Sequence, residues 1–202
     1  MEAVLKMRRL LESAPPRPAG ERCEFCDVPA GEGHGHVVDI EKRGLMCVCR
    51  PCYLLFTNPG AAGGRYRAVP DRYLHTPGLV LTGAQWDEFE IPVGIAFFFF
   101  NSRLNRTVAL YPSPAGATES ALPVAAWNEV IRANPVLETL SPDAEALLVS
   151  RLRGRADAFI VPIDACYELV GRIRRRWRGF SGGDEAWNEI DAFFETVRGR
   201  AA

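Results

Sequence analysis

The chain has 202 residues, 48% of them hydrophobic and 24% charged, which excludes wholesale disorder and fits one ordinary domain or one domain carrying a small metal module. A formal net charge of −1 removes the global electrostatic case for a nucleic-acid or anionic-membrane binder. The longest apolar run, Ile91 to Phe100, is interrupted by Pro92 and Gly94 and has about half of the roughly 20 residues a membrane-spanning helix needs, so no membrane partner is expected.

In chain order, residues 1–13 (MEAVLKMRRLLES) suit a short amphipathic helix whose apolar members are Val4, Leu5, Leu10 and Leu11. The segment lacks the apolar core and small-residue cleavage site of a signal peptide, so a cytoplasmic location is expected. The closely spaced prolines of SAPPRPAG (Ser13 to Gly20) end that helix. The expected organisation is an N-terminal helix and Pro-rich linker (1–20), a Cys-rich metal-binding module (21–57) and an α+β domain (58–202), with NPGAAGG (Asn58 to Gly64) as the turn between the last two.

Five of the six cysteines lie between Cys23 and Cys52, a clustering that in a reducing cytosol points to metal or redox chemistry rather than disulfides. Cys23-Glu-Phe-Cys26 and Cys49-Arg-Pro-Cys52 are two C-x-x-C knuckles separated by 22 residues. Such knuckles place four sulfurs around one tetrahedral ion at about 2.3 Å each. Zn²⁺ suits a four-thiolate shell, which leaves no open position for water and makes the site structural. Cys23, Cys26, Cys49 and Cys52 are the first choice of ligands. A second choice puts His34 or His36 in place of one cysteine, and a third puts two ions in the module. Cys47-Val-Cys49 sets two thiols on one side of an extended segment, where both do not naturally enter one tetrahedron. The bland alternative makes Cys47 a small buried hydrophobe and the two histidines turn residues. Iron competes with zinc, because rubredoxins hold iron with two C-x-x-C knuckles. Theirs usually carry glycine after the second cysteine, where this chain has Asp27 and Tyr53.

Beyond the turn, short extended pieces are expected around Arg65–Pro70 and Arg72–His75. Thr82-Gly-Ala-Gln85 matches a capping box, predicting a helix over Ala84–Phe89. Val93–Phe100 and Arg103–Tyr111 read as an antiparallel hairpin around Asn101–Asn105. A helix is expected over Pro123–Ala133, then a strand pair at Glu145–Ser150 and Ala156–Pro162. Asp164 is a good N-cap for a helix over Ala165–Trp177, and a last helix spans Asp184 to about Val197. The fold class is α+β, with a zinc-ribbon-like knuckle module packed on a mixed, mainly antiparallel sheet with helices.

Cys166 sits on the apolar stripe of the Asp164 helix, where core packing competes with a reactive thiol favoured by the first helical turn. Arg172, Arg174, Arg175, Arg176 and Arg178, with Arg151, Arg153 and Arg155, make a basic patch. Arg174, Arg175 and Arg176 are its candidate partner-binding residues. The patch is read either as a solvated face paired with Glu185, Glu189 and Glu195, or as a surface for an acidic partner, phosphate or RNA. His75 is the one histidine outside the metal module, and no P-loop, H-E-x-x-H, G-x-S-x-G or kinase motif is present, so no catalytic residues are assigned.

The phrases CEFC…HGHVVD…LMCVCRPCYLLF, YPSPAGATES (Tyr111 to Ser120), EALLVSR (Glu145 to Arg151) and FIVPIDACYELVGRIRRRWRGFSGG (Phe159 to Gly183) resemble domain-of-unknown-function family 5947 of high-GC Gram-positive bacteria, essentially end to end. Members tend to be encoded beside nickel–iron hydrogenase structural and maturation genes. The resemblance implies a role in assembly, maturation or electron supply of the hydrogenase, with a hydrogenase subunit or maturation factor as protein partner. The expected function is that of a non-catalytic, metal-binding accessory protein. A rubredoxin-like electron carrier is the first alternative and a zinc-ribbon nucleic-acid binder the second.

Overall fold

Two antiparallel sheets organise the chain, seen in a computed structural model that describes residues 21–152, 154–179 and 182–201. The expected N-terminal helix, the Pro-rich linker and Arg153 lie outside the described residues. The small sheet has the order β2-β1-β3, from β1 (Gly35–Asp39), β2 (Gly44–Val48) and β3 (Tyr66–Ala68), with the short helix α1 (Arg50–Leu55) after β2. The large sheet has the order β4-β9-β8-β5-β6-β7. Its strands are β4 (Leu74–His75), β5 (Ile95–Asn101), β6 (Arg106–Ser113), β7 (Gly116–Ser120), β8 (Glu145–Ser150) and β9 (Asp157–Pro162). Helices α2 (Gly83–Glu88), α3 (Val124–Ala133), α4 (Ile163–Arg176) and α5 (Gly183–Arg200) complete it.

The central strands β5, β8 and β9 are almost wholly buried, which explains why they read as continuous apolar runs. An antiparallel sheet with one wet face would alternate; here helices cover both faces. Successive side chains still point to opposite sides. Ile95, Phe97 and Phe99 pack with Leu148 and Phe159 beneath Leu169, Ile173, Phe193 and Phe194 of α4 and α5. Ala96 and Phe98 pack on the other side with Leu147, Trp86, Phe89 and Trp127. The Trp127 ring stacks on Phe98 with centroids 4.8 Å apart, and its Nε1–H donates to Thr107 Oγ1 at 2.9 Å.

The capping box is present as expected: Gln85 N–H donates to Thr82 Oγ1 at 3.2 Å and Thr82 N–H to Gln85 Oε1 at 3.0 Å. Strand β7 is an addition to the expected elements. Its GATES sequence has weak strand propensity, and pairing with β6 through Ser113↔Gly116 to Ala109↔Ser120 overrides that preference. The N-cap of α4 is Pro162 rather than Asp164. Strand β9 runs straight into the helix, so Asp164 falls in the first turn instead of ahead of it.

Strand β1 is buried from both sides and joins the two sheets. Its even positions face the large unit: Val38 enters the core beneath α4 and α5, with Ile40 and Leu45 packed against it. Its odd positions face the cysteines, with Val37 packed on Cys23, Val48, Cys49 and Cys52. Residues on either side of the Asn58–Gly64 turn share this sheet, because β3 pairs with β1. Asp39, 1% exposed, fixes the β1–β2 turn. Its carboxylate accepts from Glu41 and Lys42 N–H at 3.1 Å each and from Arg65 at 2.9 Å.

Candidate metal centre

The first knuckle is a tight turn held by backbone hydrogen bonds from Cys23 N–H to Val28 O and from Asp27 N–H to Cys23 O, both 2.8 Å. Asp27 occupies the left-handed region at φ 59°, the conformation that favours glycine at this place in such knuckles. Its carboxylate is gripped by Arg22, with Nε to Oδ1 at 2.8 Å and Nη2 to Oδ2 at 3.0 Å. The second knuckle opens α1: Cys49 is the N-cap, Pro51 lies in the first turn and Cys52 follows on the buried side. Pro51 suits this position because the first helical N–H groups have no partner within the helix.

One sulfur from each of Cys23, Cys26, Cys49 and Cys52 lies within 4.8 Å of the other three. Cys26 Sγ is 3.6 Å from Cys49 Sγ and 3.6 Å from Cys52 Sγ. A disulfide requires about 2.05 Å. Two bonds of about 2.3 Å at a tetrahedral angle put sulfurs about 3.8 Å apart. The four cysteines therefore have the spacing of a metal shell and can hold a metal ion. An apolar wall flanks Cys23, Cys49 and Cys52, in which Phe25, Phe56 and Tyr66 pack with ring centroids 4.9 to 5.2 Å apart, while Cys26 is exposed.

The sulfurs are unequal. Burial acts to raise the Cys23 thiol, but the N–H groups of Cys49, Cys26 and Phe25 and the Cys26 sulfur outweigh it and hold it at about 6. The Cys52 thiol is pushed well up, by burial first and then by the sulfurs of Cys26, Cys23 and Cys49. Without a cation the cluster favours one thiolate and resists more; a divalent cation removes that conflict.

The other three candidate ligands stand apart from these four. His34, His36 and Cys47 offer ligating atoms within 4.8 Å of one another. His36 and Cys47 are direct cross-strand partners on β1 and β2. Strand β2 ends at Val48 and the chain turns at Cys49 into α1, which is how Cys47 and Cys49 reach different clusters. The His36 ring meets Asp164, with Nδ1 to Oδ2 at 2.7 Å. Asp164 carries no signal of this contact in the sequence. Asp164 resembles a helix cap and meets His36 across 128 positions of chain.

Cys166 is completely buried beneath the large sheet, and burial, aided by Asp164, pushes its thiol well up, which fits core packing. His75 stacks on Phe159 with centroids 4.8 Å apart. The arginine patch divides. Arg172 pairs with Glu168 at 2.5 Å, and Arg176 approaches Glu189 at 3.6 Å and Glu185 at 3.8 Å. Arg174 and Arg175 are exposed on the last turns of α4. Arg151 lies over Trp86, on the far side of the large sheet from α4. A cleft of about 440 Å³, lined by Val38, Leu45, Phe99, Val108 and Tyr167, opens at the seam between the two sheets.

Comparison with known families matches residues 22–201 to the family of unknown function DUF5947, and the chain belongs to that family. No curated protein and no solved structure matches it.

Proposed function

We propose that this member of the DUF5947 family is a non-catalytic accessory protein, in which a structural Zn²⁺ held by Cys23, Cys26, Cys49 and Cys52 rigidifies a ribbon-like module for contact with a protein partner. The observation that carries the reading is the closed set of four sulfurs at metal-shell spacing, backed by Val37 and Val48. Four thiolates fill a tetrahedral ion and leave no position for a substrate. The family resemblance points to a nickel–iron hydrogenase subunit or maturation factor as partner.

A rubredoxin-like iron site is the second reading. It is favoured by the left-handed backbone at Asp27 and by the N–H groups directed at Cys23. Metal analysis and an absorption spectrum of the purified protein separate the two. A colourless protein with one tightly held zinc and four sulfur neighbours by X-ray absorption supports the structural reading. A red protein whose iron cycles reversibly between two oxidation states overturns it. Co-purification from the native host tests the partner, and recovery without any hydrogenase component or maturation factor counts against that assignment.

A further inference from the structure

We propose that His34, His36 and Cys47 form a second metal site, for an exchangeable borderline divalent cation of the Zn²⁺ class, whose fourth position is open to solvent beside Glu21. The proposal goes beyond the structural ion and does not rest on it. The two clusters use different residues and opposite faces of the small sheet.

Strand geometry brings the donors together. His34 and His36 are two apart and project to one side, and Cys47 is opposite His36 on the neighbouring strand. The histidine rings meet edge-on with centroids 5.0 Å apart.

Both imidazoles are held in the tautomer a metal needs. The partners of their Nδ1 atoms are acceptors only: Asp164 Oδ2 at 2.7 Å for His36 and Gly31 O at 3.2 Å for His34. In the neutral ring each Nδ1 therefore carries the proton and donates it, which leaves the lone pair on Nε2. A carboxylate or carbonyl behind the ring is the usual support of a metal-bound histidine, because it fixes the ring and raises its basicity.

His34 Nε2 shows what is missing. The atom is buried and makes no hydrogen bond. Glu21 Oε2 lies 3.0 Å away, an ion pair only when the ring is protonated. With no proton on Nε2 this close contact is repulsive, and a cation bound at Nε2 relieves it as a proton would. Glu24 stands close as well, its Oε1 accepting the Cys47 N–H at 2.7 Å.

Two nitrogens and one sulfur suit borderline divalent ions such as Zn²⁺ and Co²⁺ rather than Ca²⁺ or Mg²⁺. The neighbouring Glu21 side chain is 65% exposed, so the fourth position faces solvent, and the ion here exchanges more readily than one held by four sulfurs.

The test is a Co²⁺ titration of zinc-loaded protein that keeps its tightly held ion and has been freed of exchangeable metal. The expected result is uptake of one further equivalent, with the sulfur-to-cobalt charge-transfer band of a single thiolate. Cys47→Ser should abolish that band, and Asp164→Asn should weaken binding by about 10–100-fold. A measurement on the unaltered chain guards against misfolded variants: added Zn²⁺ should slow alkylation of Cys47 by about tenfold or more. If the zinc-loaded protein takes up no cobalt, and Cys47 is alkylated equally fast with and without Zn²⁺, the second site is overturned. Zinc retained by the four cysteines in that case leaves the structural reading standing. Cobalt bound at Cys47 with no ion on the four cysteines overturns the structural reading alone.

Discussion

Gly35 shows how much of the metal module rests on single atoms. A Cβ placed there would lie 2.4 Å from Cδ2 and 2.8 Å from Cγ of Tyr53, whose hydroxyl is anchored on Val69 O at 2.9 Å. The ring cannot swing aside without breaking that anchor. Gly35→Ala should therefore destabilise the module by about 1–3 kcal/mol, read by denaturant titration of the metal-loaded protein. Asp39 is the electrostatic counterpart. The Arg65 guanidinium, together with the N–H groups of Lys42 and Glu41, holds its carboxyl below the ordinary 3.8 against the opposing effect of burial. A depressed folded value means that this contribution is fully present above the ordinary value and is lost as pH falls through the lowered one. Asp39→Asn should cost about 1–3 kcal/mol near neutrality and flatten the acid limb of stability against pH, measured by urea unfolding across the acid range.

Among the elements, long apolar strands and capped helices were legible, and pairings between distant segments were not. The β5–β6 hairpin, the β8–β9 pair and helices α2 to α5 follow from apolar runs, turn residues and caps that act over a few positions. Strand β7 escapes because GATES becomes a strand only once β6 is beside it. The start of α4 escapes because β9 runs straight into the helix, which puts the aspartate that resembles a cap in the first turn, where it meets His36. The same division runs through the site. C-x-x-C spacing is local and identifies four sulfurs, whereas the convergence of His34, His36 and Cys47 depends on strand register. Strand β5 serves both layers, with Phe97 and Phe99 packed toward α4 and α5 and Phe98 toward α2 and α3. Phe98→Ala removes the ring stacked on Trp127 and should cost about 3–5 kcal/mol by thermal or chemical unfolding.

For the molecule as a whole, the two sheets differ in what sustains them. The large sheet has apolar layers on both faces, while the small one relies on a short cluster of Cys23, Val37, Val48, Cys49 and Cys52. Metal removal should accordingly act unevenly. With a strong chelator, amides of β1, β2 and α1 should lose hydrogen-exchange protection while those of β5, β8 and β9 keep it. Equal loss throughout would mean that the large sheet cannot stand without the module.

Strand β1 adds a consequence for how this chain tolerates length changes. Because its alternate side chains serve opposite faces, the Asp39↔Gly44 closure of the β1–β2 turn determines which donors meet. Removing one residue between His36 and Asp39 would shift the parity of everything beyond it and turn Val38 away from the core beneath α4. Insertions or deletions in this stretch should be tolerated only in pairs. The strand thus works as a counting frame, in which an even step preserves the chemistry and an odd one exchanges it.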